Sequence, residues 1–196
     1  MKKLVLFLLF VFIALPSFAQ DNRYDEYFRK YSKRYFGVGF DWKIFKAQAM
    51  AESNLLPDVR SWVGAIGIMQ LMPSTFKEIQ SINPDFNNIN DPRWNIAAGI
   101  YYNRILWRAW ADPQTTQDKL CFMFGSYNAG IGTISRAKNK ARETQLDHTV
   151  WESIEYVAPT MRGWRYRETL GYIQKINGYY AKVAKKQNGL KDFQGK

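Results

Sequence analysis

The sequence has a single cysteine, a single histidine and almost no pattern that is typical of β-strands. With only Cys121, no disulfide can form within the chain, and with only His148, no cluster has the ligand spacing of a metal site. A Ser/His/Asp triad would need an exposed serine near His148, and nothing around that residue supports one. We therefore expect neither a metal nor another cofactor. Cys121 lies in the apolar run Leu120 to Phe124, which predicts a buried structural thiol.

A long apolar run occurs only at the N-terminus. Lys2 and Lys3 precede an unbroken apolar run from Leu4 to Leu15, and residues 17–19 form a small-x-small cleavage pattern. About a dozen apolar residues are too few to span a bilayer, which takes about 20. The pattern predicts a cleaved signal peptide at residues 1–19, export to the periplasm or the medium, and no stable membrane insertion afterwards. A retained membrane anchor is the alternative.

The charge of the chain is strongly of one sign. The formal net charge is +11, and removal of Lys2 and Lys3 with the signal peptide leaves +9. A positive field raises the local concentration of polyanions, and an exported protein first meets those of the cell envelope. Nucleic acid is not expected as a partner, because the basic residues are scattered and accompany no recognition motif.

The rest of the pattern is helical, and 196 residues suffice for one domain with a sizeable core. Segment 20–39 is predicted to form an amphipathic helix with aromatic residues on one side: Tyr24, Tyr27, Phe28, Tyr31 and Tyr35. We interpret them as a packing stripe, with a sugar- or partner-binding stripe as the alternative. Further helices are predicted at 74–79, 92–111, 114–127, 132–141 and 151–158 and from 168 onward. Residues 185–196 are predicted to be a basic, frayed tail.

The most specific chemical signal lies between Ala47 and Pro73. Asp41 is a predicted N-cap, and Glu52 shares a helix face with Phe45, Gln48 and Ala49. Because Phe45 and Ala49 suit a core-facing stripe, Glu52 is expected to point inward, where desolvation raises the pKa of a carboxyl. A protonated glutamate in an apolar wall is what a general acid requires. From spacing alone, a solvated charge at the helix end is the alternative.

Four short motifs follow one another along the chain: Glu52-Ser53, Gly67-Ile68-Met69-Gln70, Ser126-Tyr127-Asn128-Ala129-Gly130 and Glu168-Thr169-x-x-Tyr172. With these motifs the sequence resembles the catalytic domain of the family 1, soluble-type lytic transglycosylases of bacterial cell walls, over roughly residues 40–180. The resemblance implies a mainly α, lysozyme-like single domain at residues 40–184. At most a minor β region is expected, near residues 63–67.

The resemblance also implies an activity and a site. Glu52 would act as a single catalytic acid and base that cleaves the bond between N-acetylmuramic acid (MurNAc) and N-acetylglucosamine (GlcNAc) and leaves a 1,6-anhydro end. The positions that match substrate contacts of the family are Ser61, Met69, Gln70, Tyr127, Asn128, Glu168 and Tyr172. For Glu168 a scaffold role is the alternative, with a buried or half-buried carboxylate bonded to the backbone or to Tyr127.

The implied partners are the glycan strands of peptidoglycan and, as a further candidate, an envelope-spanning assembly; the protein is expected to be a monomer. A hydrolytic muramidase is one alternative, and it would need an ordered water and usually a second carboxylate. The candidates for that carboxylate are Asp58, Glu78, Asp85 and Asp91, and no sequence feature singles one out. A non-catalytic peptidoglycan-binding or scaffold domain is the other alternative, but it would not need an inward-facing acid.

Overall fold

The computed structural model describes residues 22–193, with side chains to residue 185. The predicted signal peptide lies outside the described residues. The helices are α1 (Asp25–Phe36), α2 (Lys43–Ser53), α3 (Pro73–Ile82), α4 (Pro92–Ala109), α5 (Thr116–Ala129), α6 (Ile131–Glu143), α7 (Trp151–Val157) and α8 (Tyr166–Phe193), with a 3₁₀ turn at Ala158–Thr160. Residues 22–193 contain isolated bridges at Arg60–Ile66 and Ile66–Leu71 but no strand, which confirms the mainly α prediction. None of these helices is apolar over a stretch that could cross a bilayer.

The helices surround one apolar core. Helix α2 packs against α8, α1 against α4, and α5 against α4, α6 and α8. Fully buried side chains from different elements meet at its centre, among them Phe45, Ile68, Ile96, Phe122 and Ile176. Burial of such side chains is the main favourable term in folding. The core therefore fixes α2 and α8 side by side.

Helix α1 joins this core through its aromatic side. Phe28 and Tyr31 are buried, and Tyr35 lies against Tyr31 and the edge of Tyr101. The Nζ of Lys46, a buried residue of α2, pairs with Asp25 at 2.5 Å. The interpretation of the aromatic residues as a packing stripe is therefore confirmed.

Cys121 is buried in α5, as predicted for a structural thiol. Burial raises the pKa of its thiol to about 12. Because the thiolate is the nucleophilic form, this cysteine is inert.

The predicted starts of helices agree better with the structure than the predicted ends. Asp91 accepts the backbone N–H groups of Arg93 and Trp94 at 2.8 and 3.3 Å, and Asp41 accepts that of Lys43 at 3.1 Å. In contrast, α3 runs to Ile82 and α5 to Ala129, so both pass their predicted ends at residues 79 and 127. Helix α8 continues to Phe193, beyond the predicted end of the domain at residue 184. Extension of a formed helix gains one hydrogen bond for each added residue, so polar sequence alone does not stop it.

The loop between α2 and α3 is held by Asn95 of α4. Its side-chain oxygen accepts the N–H of Met69 at 2.8 Å, and its amide donates to the carbonyls of Ile66 and Ile89, each at 2.9 Å. Gly67 has φ of 77°, and a Cβ there would lie 2.6 Å from the amide nitrogen of Asn95. Only glycine fits this approach, so the loop and Asn95 form one unit.

We expect Asn95→Ala to lower the free energy of unfolding by about 3 kcal/mol, because the N–H of Met69 and the carbonyl of Ile89 lose their partner and the carbonyl of Ile66 keeps only the N–H of Leu71. The measurement is chemical denaturation at neutral pH. Asn139→Ala, at an exposed position of α6, is the matched control and should change stability by less than about 0.5 kcal/mol. Equal stability of the two variants would contradict a supporting role for Asn95.

Candidate active site

Helices α2 and α8 together hold the carboxyl of Glu52. Glu52 lies in the last turn of α2, and the hydroxyl of Tyr172 on α8 donates to its Oε1 at 2.5 Å. The other oxygen, Oε2, has no hydrogen-bond partner among the side chains and backbone of residues 22–185. Burial raises the pKa of Glu52 from 4.5 to about 7, although the bond from Tyr172 acts in the opposite direction. Glu52 can thus both donate and accept a proton near neutral pH.

A chain of buried amides orients Tyr172. Gln48 donates to the Tyr172 hydroxyl at 3.0 Å and accepts at 2.7 Å from Asn103, which also donates to the carbonyl of Gly99. Because each amide has a fixed direction, the Tyr172 proton points at Glu52. The helical spacing predicted Gln48 on the face of Glu52, whereas Asn103 was not predicted. The available signal was an asparagine in the apolar middle of α4.

Tyr127 closes the other side of the site. Its hydroxyl donates to the carbonyl of Met69 at 2.8 Å, and its ring lies 5.3 Å from that of Tyr102. Burial, followed by the nearby charge of Glu52, raises the pKa of Tyr127 well above its ordinary value. Ser53 donates to the carbonyl of Ile68 at 2.9 Å. The structure therefore brings residues of all four motifs together.

The side chains predicted on the α2–α3 loop mainly shape that loop. Gln70, at φ of 45°, donates to the carbonyls of Val59 and Gly67, and the Ser61 hydroxyl accepts the N–H of Ala65 at 2.9 Å. The side chain of Met69 is fully buried, and only its backbone meets Tyr127. Beside Ser61 the turn carries Trp62, which is 88% exposed and which no sequence motif singled out.

The last motif contributes through Thr169 as well as Tyr172. Thr169 donates to Asn128 at 2.8 Å and accepts from Trp164 at 3.0 Å. The Glu168 side chain is instead exposed and pairs with Arg165 at 2.9 Å. Among the described residues the Glu168 carboxylate has no hydrogen bond to the backbone or to Tyr127, so the scaffold alternative, a buried or half-buried carboxylate with such a bond, is wrong. Adjacent residues of a helix point about 100° apart, and Thr169 takes the inward direction.

The candidates for a second carboxylate have other contacts or are exposed to solvent. Asp91 caps α4, Asp85 pairs with Arg34 at 3.6 Å, and Asp58 is exposed. Glu78 is also exposed. Its charge acts on Tyr102, whose pKa is raised first by burial and then by Glu78. The pKa of Glu52 is set by burial and Tyr172, with no contribution from a second carboxylate of the described residues.

The family model for transglycosylase SLT domains matches residues 26–150. A membrane-bound lytic murein transglycosylase F from Desulfosudis oleivorans is 31% identical over 72% of this chain, and one from Maricaulis maris is 29% identical over 84%. These matches cover 33% and 37% of the two relatives, so the chain spans about a third of their length.

Solved structures of similar fold agree with this match. The 70 kDa soluble lytic transglycosylase from Escherichia coli superimposes with a TM-score of 0.59 at 28% identity, over 81% of this chain and 23% of that one. An inactive mutant of the lytic transglycosylase Slt from Pseudomonas aeruginosa gives a TM-score of 0.66 over 86% of this chain and 25% of that one. At 22% identity the latter shows the fold alone. The mainly α, lysozyme-like fold is thereby confirmed, and the chain belongs to the family of transglycosylase SLT domains.

Proposed function

We propose that this protein is a peptidoglycan lytic transglycosylase that cleaves the β-1,4 bond between MurNAc and GlcNAc without consuming water. The observation that carries the proposal is the half-buried Glu52, whose pKa is raised to about 7. Burial and the bond from Tyr172 set this pKa, and no second carboxylate of the described residues contributes to it. Such a group can serve as acid and then as base, whereas hydrolysis usually divides these roles between two carboxylates. The family and the relatives named murein transglycosylases support the substrate.

In the first step, protonated Glu52 donates its proton to the glycosidic oxygen. The bond between this oxygen and carbon 1 of MurNAc breaks, its electron pair stays on the oxygen, and GlcNAc leaves with a free hydroxyl. The positive charge at carbon 1 is stabilised by the acetamido group of the same sugar. The hydrogen bond from Tyr172 stabilises the carboxylate that Glu52 becomes.

In the second step, the Glu52 carboxylate accepts the proton of the MurNAc 6-hydroxyl while that oxygen bonds to carbon 1. The product is a 1,6-anhydro sugar, and Glu52 regains the proton that it began with. All atoms and protons of the two steps are accounted for without a water molecule. A pKa close to the working pH favours this reversal on one side chain, since donation and acceptance are then similarly easy.

Substrate contact is proposed for the remaining motif positions Ser61, Gln70, Tyr127, Asn128, Glu168 and Tyr172. Met69, also predicted as a contact, is fully buried, so we propose that it supports the site from within. Asn128 and Glu168 are exposed, which leaves them accessible to a glycan strand. We add Trp62, because an exposed indole offers an apolar face to a sugar ring. The chain is proposed to act as an exported monomer, with an envelope assembly as a further partner.

Glu52→Gln should lower cleavage of purified peptidoglycan by at least about a thousandfold, because glutamine cannot donate the proton as an acid. The measurement is mass spectrometry of the released muropeptides. Wild type should release products one water lighter than hydrolysed muropeptides. Glu152→Gln, at an exposed position of α7, is the control and should keep full activity.

The same products separate the alternatives. Reducing ends would indicate a muramidase, and no release by folded wild type would indicate a binding or scaffold domain. Full turnover by folded Glu52→Gln would refute the role of this residue.

Glu52→Gln should also change how stability depends on pH. Glu52 has a folded pKa of about 7 against an ordinary 4.5, so its contribution to stability is present below about pH 4.5 and is lost as the pH rises to 7. Over that window the wild type should lose about 2–3 kcal/mol relative to the variant. Denaturation at several pH values measures this difference, and parallel curves would contradict the raised pKa.

Tyr172→Phe should move the alkaline fall in activity to higher pH. Removal of this hydrogen bond takes away a cause that lowers the Glu52 pKa, so the carboxyl stays protonated longer. Turnover should fall about tenfold, because the carboxylate loses a donor. The pH profile of cleavage tests this, with Tyr180→Phe as control, since Tyr180 of α8 donates to Asp41 just before α2. An unshifted profile would show that Tyr172 does not tune Glu52.

A further inference from the structure

A surface cavity of about 320 Å³, open to solvent, lies between α2 and α8 next to Glu52 in the chain, and Glu52 is not among the residues that line it. It is lined by Ala51, Lys175, Gly178, Tyr179 and Lys182. Two of these five residues are lysines and none is acidic. The cavity is therefore suited to an anion.

The two lysines are not neutralised within the protein. No acidic group among residues 22–185 lies within ion-pair distance of Lys175 or Lys182, although other lysines of the chain, such as Lys46 and Lys138, have carboxylate partners. The Nζ of Lys182 lies 5.5 Å from the ring centre of Tyr179, which holds the charge at the cavity. Both lysines are exposed to solvent, so an anionic ligand that enters the open cavity can form charge-assisted hydrogen bonds with them.

Gly178 is the second observation that points to a ligand. It lies inside α8, where glycine weakens a helix relative to alanine. A Cβ at this position would have nothing within 4 Å, so packing does not require glycine there. Its missing side chain instead leaves the cavity wall open. Gly171 of the same helix has equally open space but does not line the cavity.

The position of the cavity fits a specific part of peptidoglycan. Tyr179 follows Tyr172 by two helical turns, or about 10 Å along α8. MurNAc carries a peptide stem with free carboxylates, and three extended residues span about 10 Å. A stem on the sugar held at Glu52 could therefore place a carboxylate between the lysines.

We propose that this cavity binds a carboxylate of the peptide stem on the MurNAc residue at the cleavage site. The proposal rests on the proposed function, because it requires peptidoglycan at Glu52. Lysine ammonium groups act as point charges and tolerate carboxylates in several orientations, which suits a flexible stem.

The test measures binding of the full chain to sacculi in the Glu52→Gln background, so that the strands stay uncut. Lys175→Gln/Lys182→Gln is compared with Lys30→Gln/Lys33→Gln, which removes the same charge from exposed positions of α1. Each protein is mixed with intact sacculi and with sacculi whose stem carboxylates have been converted to amides. We expect the cavity variant to bind intact sacculi about tenfold more weakly than the control variant. On amidated sacculi the two should bind equally.

Equal loss for both variants on intact sacculi would overturn the proposal in favour of general charge attraction, and no loss would overturn it as well. Gly178→Leu should also weaken binding to intact sacculi, while Gly171→Leu should not, with thermal midpoints confirming that both variants fold. Because binding is measured without turnover, a failure here is distinct from a failure of the proposed reaction, which product analysis of the wild type reports.

Discussion

The arrangement of this site depends on a carboxyl that is buried enough to stay protonated and bonded well enough to ionise. Burial alone would fix Glu52 as a neutral acid, and a fully hydrogen-bonded carboxylate would remain an anion. The single bond from Tyr172 gives an intermediate state, with a pKa of about 7. Since Glu52 and Tyr172 lie on different helices, this balance depends on the contact between α2 and α8. The Gln48–Asn103 chain extends the same dependence to α4.

The remaining polar side chains of the site hydrogen-bond to the backbone of the α2–α3 loop. Asn95 holds the loop segment around Met69, and Tyr127 binds the carbonyl of the same residue. Gln70 and Ser61 close turns of that loop. An irregular segment without strands is thus held in place by side chains of α4 and α5 and by its own polar side chains. Rigid placement matters here because a general acid acts only within hydrogen-bond reach of the atom that it protonates.

Local pattern predicted the parts of this arrangement that depend on neighbours in the chain. The inward direction of Glu52 followed from its spacing with Phe45 and Ala49, and the start of α4 from the Asp91 cap. Asn103 and Asn95 could not be assigned, because their partners lie 55 and 26 residues away and nothing local shows the distance. The inward role of Thr169 was missed for the same reason, since its hydroxyl donates to Asn128, which only the packing of α5 against α8 brings near.

Charge is distributed so that attraction for the substrate does not disturb the acid. A cation next to a carboxyl favours the ionised form and would lower the pKa of Glu52, which would weaken it as a proton donor. The pKa of Glu52 is set by burial and Tyr172, and the lysines of α8 are not among its causes. Lys175 and Lys182 line a cavity that includes Ala51 but lies along α8 from Tyr172. At this separation they can attract an anionic group of a bound strand, while the low polarity around Glu52 keeps its proton in place.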